Sequence, residues 1–209
     1  MRIFYFARID IEANDAGARH VLETCKQFSA IGHETLLFVP DLGSTRKLPG
    51  VKIIQVPILL RKPAFTYFSF HAVLFFYLLY HCLKNKPDAV YTRLQPLEWW
   101  ATWLKIIFRF RYAIEVNGLP LVELKINQAP RWTRSVTRIL EWICYRFPDF
   151  WVVPTTQIRD FLCKEYGLDP KLFLVVSNGA DAEVFYPMDQ MSCRSQLELD
   201  VNATYLLFI

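Results

Sequence analysis

Four short groups of residues have types and spacings suited to holding an anion or a hydroxyl-rich ligand. Asp15-Ala16-Gly17 precedes an amphipathic run. Asp15 can therefore cap a helix whose free N–H groups and dipole favour a phosphate or carboxylate, and Gly17 lets a ligand approach the backbone. Arg19 and His20, one turn in, add charge to that end. The plain alternative is an ordinary capped helix. Tyr91-Thr92-Arg93 closes an apolar run, and its guanidinium can fork onto a phosphate or carboxylate, or simply face solvent. Glu115-Val116-Asn117-Gly118 ends another such run. Glu115 offers a carboxylate; Asn117 donates and accepts hydrogen bonds but has no acid or base function near neutral pH. An Asn-Gly pair also makes a structural turn. Ser177-Asn178-Gly179-Ala180-Asp181 follows a valine-rich run and suits a tight turn, because Asn and Gly tolerate positive φ and Asp bonds its own backbone. None of these patterns assigns a catalytic residue.

The elements that must position these groups alternate along the chain. Short β-prone runs occur at 3–7, 35–39, 51–56, 89–92, 112–116, 151–153 and 173–176, separated after residue 56 by helical stretches of roughly 12 to 20 residues. The first helix is expected from Ala16 to Ile31, with Ala18, Val21, Leu22, Cys25 and Phe28 at three- and four-residue intervals and Gly32 as its stop. A second amphipathic helix is expected from Arg131 to Phe147, with Trp132, Val136, Ile139 and Ile143 on one face and Arg131, Arg134 and Arg138 on another. This spacing implies an α/β fold, a Rossmann-like parallel sheet with right-handed crossovers and helices on both faces.

Composition limits the function classes. With 209 residues, 53% hydrophobic and 21% charged, the chain can bury a substantial core. The five cysteines are scattered and form no Cys-x-x-Cys pair, so a disulfide framework or zinc site is not expected and a reducing, cytoplasmic compartment is. His20, His33, His71 and His81 show no metal-ligand spacing, and neither a Gly-x-Ser-x-Gly elbow nor a Walker-type loop occurs. Metal-dependent, hydrolase and nucleotide-hydrolysing readings lose their support. Net charge is +4 but uneven: residues 84–146 hold 11 Lys/Arg against 5 Asp/Glu, and residues 148–209 hold 4 against 9. Residues 63–83 contain no Lys, Arg, Asp or Glu. That stretch reads three ways, as a crossover helix, an in-plane interfacial helix or a membrane span. With the tryptophans at 99–103, it keeps peripheral contact with the cytoplasmic membrane face open.

Taken in order, Arg8-Ile-Asp10, Asp15-Ala-Gly17, Gly32-His33-Glu34, Lys86-Pro-Asp88-Ala-Val-Tyr-Thr-Arg93, Glu115-Val-Asn117-Gly118 and Ser177-Asn-Gly-Ala-Asp181 resemble the N-terminal half of a family 4 glycosyltransferase. Members of that family are retaining enzymes of GT-B architecture. The resemblance implies a domain over 1–187 that chiefly binds the acceptor. Residues 188–209 are then a linker and the first strand, Tyr205 to Ile209, of a truncated nucleotide-sugar domain that a separate chain could supply. It also implies a nucleotide-sugar as substrate with no cofactor or metal, a sugar or lipid-linked acceptor in polysaccharide biosynthesis, no nucleic-acid partner and little activity for the 209 residues alone. Acceptor or sugar contacts would come from Asp15, Gly17, Arg19, His20, Arg93, Glu115, Asn117 and Gly118, and a donor-proximal hinge from Ser177, Asn178, Gly179 and Asp181. Two departures stand out. Family members often carry two glycines where this chain has Ala16-Gly17, and often a histidine where it has Asn117. Two other readings fit the same architecture: a non-catalytic acceptor- or membrane-binding module, and a nucleotide-sugar 2-epimerase-like protein.

Overall fold

Alternation along the strands sorts the core into two layers. A computed structural model describes residues 1–60, 62–94, 97–179 and 186–206. Met1–Ser177 forms one compact unit and Asn178–Ile209 a second. In the first unit the order is β1 (Arg2–Phe6), α1 (Ala16–Ala30), β2 (Glu34–Pro40), β3 (Val51–Val56), α2 (Pro63–Lys84), β4 (Ala89–Arg93), a 3-10 turn (Glu98–Trp100), α3 (Ala101–Phe108), β5 (Arg111–Glu115), α4 (Pro120–Ile126), α5 (Arg131–Cys144), β6 (Phe150–Val153), α6 (Thr156–Tyr166) and β7 (Phe173–Val175). All seven strands pair in parallel, in the order β3-β2-β1-β4-β5-β6-β7. The second unit holds α7 (Gln190–Gln196), capped by Asp189.

Phe4, Phe6, Leu36 and Phe38 point to one face and pack with Phe70, Leu74 and Leu78 of α2, Leu104 of α3 and Leu162 of α6. The intervening Tyr5, Leu37 and Val39 point to the other face and pack with Val21, Leu22 and Cys25 of α1. Period-two alternation thus supplies both faces of one sheet. Each fully buried Phe or Leu contributes about 1.5–3 kcal/mol, so the larger layer dominates the fold's stability.

Local chemistry sets the element ends. The Asp15 side chain accepts from the Ala18 N–H at 2.7 Å and starts α1; Gly32, at φ 88°, takes the left-handed turn that follows it. Helix α5 ends at Cys144 rather than Phe147, because a residue before a proline, here Pro148, avoids helical backbone. The 97–112 segment divides into the 3-10 turn, α3 and β5, with Arg109 in the left-handed conformation (φ 54°) at the break. Helix α2 is the β3-to-β4 crossover. By length and composition Phe65–Lys84 could cross a bilayer, yet a third of it is buried in the fold. Tyr205 and Leu206 are not in a strand, and the remainder of the strand expected at 205–209 falls outside the described residues. Helix α7 was not anticipated from the sequence; it is short, polar and held mainly by its cap.

Candidate functional site

The strand order reverses between β1 and β4: β2 and β3 lie on one side of β1, and β4 to β7 follow on the other. Chains leaving the carboxyl ends of strands at such a point diverge to opposite faces of the sheet and open a crevice. Three of the anticipated groups converge there.

The first wall is the N-terminus of α1. Gly17 sits under Arg93: a methyl group at position 17 would lie 2.7 Å from Nη1 of Arg93 and 3.2 Å from Oδ1 of Asp15. A larger residue here would displace the guanidinium from its position over the helix end. Among the described residues Arg93 has no acidic partner within ion-pair distance. A half-buried guanidinium is thus held over a helix N-terminus with its charge uncommitted, an arrangement that attracts an anion.

The second wall is the end of β5. Glu115 is Arg93's register partner across the β4–β5 ladder, but its carboxylate turns to other groups. It is 3% exposed, and its Oε1 lies 2.6 Å from Nε2 of His20. That ring N–H is not aimed along the line of a regular hydrogen bond, so the contact is best described as an ion pair available to a protonated imidazole. Asn117 Nδ2 donates to the same oxygen. Oε2 accepts from Tyr91 Oη at 2.9 Å and, more weakly, from Tyr5 Oη at 3.4 Å. Burial alone would raise the Glu115 carboxyl, but the His20, Asn117 and Tyr91 interactions outweigh it and hold the group below the usual carboxylate range. Burial and the adjacent carboxylate push the Tyr91 and Tyr5 phenols well above their ordinary range, so both remain donors.

Both Glu115 oxygens are therefore committed. Glu115 is a positioning residue that fixes His20 and Asn117, leaving Asn117, Gly118, Arg93 and the first-turn amides of α1 as the groups that face the crevice. Gly118 lies beside the Glu123 side chain, whose carboxylate oxygen would be 2.8 Å from a methyl group there. Arg19 stays on the exposed side of α1 and forms no ion pair among the described residues. Ser177 is exposed just beyond β7; Asn178 and Gly179 are exposed in the second unit. Asp181 lies outside the described residues. Tyr5 and Tyr91 were not anticipated as part of the site, because strand aromatics ordinarily read as core.

A cleft also lies away from the crevice. It measures about 420 Å³ and is lined, among the described residues, by Asp41, Leu42, Gly43, Ile58 and Thr66, of which Asp41 alone is ionisable. Convergent polar groups identify a site better than volume does, and they gather at the crevice. Among the described residues no group of three or more His, Cys, Asp or Glu side chains is placed to hold a metal ion.

Known proteins share this architecture. The family model described as Glycosyltransferase Family 4 matches residues 17–184. The sucrose-phosphate synthase of Thermosynechococcus elongatus superposes with a TM-score of 0.72 at 18% identity, over 96% of this chain and 53% of that one. Anabaena HepE in complex with UDP-glucose superposes with a TM-score of 0.61 at 12% identity, over 95% and 50%. A D-inositol 3-phosphate glycosyltransferase of Rhodococcus jostii (strain RHA1) is 38% identical over 58 residues, 28% of this chain and 13% of that protein. The chain spans about half the length of these two solved structures and a smaller part of the curated relative.

Proposed function

Because the chain belongs to Glycosyltransferase Family 4, we propose that its crevice forms one wall of a site that moves a sugar from a nucleotide-sugar to an acceptor hydroxyl, with retention at the anomeric carbon. In this reaction the bond between the anomeric carbon and the donor phosphate oxygen breaks, and the electron pair leaves on the phosphate. The acceptor oxygen bonds to the anomeric carbon and passes its proton to the leaving phosphate. Charge develops on the leaving phosphate, so fixed donors and cations aimed at it lower the barrier.

The observation that carries this reading is the placement of an uncommitted Arg93 over Gly17 at the N-terminus of α1, beside an Asn117 held by Glu115. Arg93 and the α1 amides take the phosphate. Asn117 and the Gly118 backbone orient sugar hydroxyls, and Glu115 with His20 keeps Asn117 in place. The nucleotide-sugar enters as substrate, not as a resident cofactor, and the acceptor is a glycan or a lipid-linked sugar. Five unpaired cysteines support a reducing, cytoplasmic setting.

The fold family places most donor contacts on a second domain, so residues 1–209 by themselves bind at the crevice without turning the donor over. Purified residues 1–209 should bind nucleotide-sugars saturably and transfer no radiolabelled sugar to glycan or lipid acceptors. Measurable transfer by this polypeptide alone contradicts the division of labour. Absence of saturable binding by any nucleotide-sugar contradicts the assignment of the crevice.

A further inference from the structure

Helices α2 and α3 turn apolar side chains both into the larger core layer and outward, and α5 turns most of its apolar side chains outward. A surface helix normally turns its apolar stripe to the sheet and its polar face outward. On α5 the buried residues are Glu141 and Cys144, whereas Trp132 and Ile139 are more than half exposed. Trp103 and Ile106 on α3 and Phe68 and Phe76 on α2 also point outward, each more than half exposed. α2 packs beside α3, and the 3-10 turn joins them to α5. Neighbouring elements therefore each present exposed apolar side chains, the kind of surface that marks an interaction site.

Charge decides the partner. The only acids in these four elements are Glu98 and Glu141, and both are buried. Their cations are Lys84, Lys105, Arg131, Arg134 and Arg138. Lys105 and Arg138 pair with Asp149 and Glu165 outside the layer; Lys84 and Arg131, both exposed, have no acidic partner among the described residues. A symmetric contact with a second copy would oppose cation to cation, with no acid available in the layer to relieve them. Four of the six tryptophans (Trp99, Trp103, Trp132 and Trp142) are exposed on these elements, and indole rings favour the boundary between headgroups and acyl chains.

We infer that the outer face of α2, α3 and α5 docks on the surface of an anionic phospholipid bilayer. Aromatic and aliphatic side chains enter the interface, and the lysines and arginines meet the headgroups. The helices begin at the carboxyl edge of the parallel sheet, so the docking face extends to the same edge as the crevice. The inference rests on exposure and charge and holds independently of sugar transfer.

Co-sedimentation of residues 1–209 with phosphatidylglycerol-containing vesicles, with pure phosphatidylcholine vesicles as a second arm, tests it. Binding is expected to the anionic vesicles at low salt, with a blue shift of tryptophan emission, and should weaken on both phosphatidylcholine and added salt. Trp103→Glu with Ile106→Glu should lower vesicle affinity by at least roughly ten-fold with an unchanged circular dichroism spectrum. Ile31→Glu, an exposed position at the end of α1 on the other side of the sheet, should leave binding unchanged and serves as the control. The inference is overturned by no binding to anionic vesicles at low salt, by equal binding of the double variant, or by a stable dimer that the double variant dissociates and that does not bind vesicles.

Discussion

The crevice and the outer helix layer each bury a glutamate, and the two are handled in opposite ways. At the crevice, Glu115 faces His20, Asn117 and Tyr91, which together overcome burial and keep it ionised. In the helix layer, burial dominates at Glu141 and raises its carboxyl, even though Tyr166 and the Leu121 N–H both donate to it. The first environment is built around a charge; the second tolerates a carboxyl as a hydrogen-bond acceptor. The same division extends outward. The crevice pairs its carboxylate and leaves a cation free for a ligand, and the helix layer pairs little and presents apolar surface.

The comparison is broken most sharply at Glu115. Glu115→Ala leaves His20, Asn117 and two phenols without their common acceptor, and a loss of about 3 kcal/mol is expected in urea unfolding. A loss below about 1 kcal/mol would mean the network is not built around that charge. Next in size is Arg93→Ala: affinity for a nucleotide-sugar should drop by about 1.5–3 kcal/mol, the range for a hydrogen bond to a charged group, with little change in unfolding midpoint. Titration calorimetry beside thermal melts separates the two quantities. Asp15→Ala removes the α1 cap and should cost about 1 kcal/mol of stability, read from the same melts, because the amides it orients lose their fixed geometry.

The finest test is pH dependence. Glu115 has a folded value below its unfolded one, so its contribution is complete above the ordinary carboxylate range and is lost as pH falls through the folded value. Glu141 has a raised folded value. Its penalty is present at neutral pH and is relieved as pH falls through that value. Glu115→Gln should therefore flatten the acid limb of the stability profile, and Glu141→Gln should be nearly neutral or slightly stabilising at pH 7. Matching profiles for the two variants would show that the contrast between them is wrong.

Much of this architecture is legible from residue pattern alone. The unbroken apolar run from Ile3 to Ala7 marks a strand buried on both faces, and Ala18, Val21, Leu22 and Cys25 mark the inner side of α1. The placement of the site groups is also legible, since Arg93 and Glu115–Gly118 each close an apolar run and so lie at a strand's carboxyl end, and Asp15–Gly17 opens an amphipathic run and so lies at a helix N-terminus. The tyrosines of the site are not. Tyr5 meets Tyr91, and Arg93 flanks Glu115, only through the register β1–β4–β5, which depends on strand order and not on local sequence. Helix α5 teaches a similar lesson: its periodicity is plain, but periodicity does not tell which face turns inward, and here packing around Glu141 and Cys144 turns the tryptophans out.

The most direct test of the crevice as the sugar-transfer site is a 15N chemical-shift titration of residues 1–209 with UDP-glucose. The account predicts saturable shifts concentrated at the backbone amides of Ala16, Gly17, Asn117 and Gly118, abolished in Arg93→Ala. Shifts that persist in that variant, or that map to the cleft formed by Asp41, Gly43 and Thr66, would contradict it.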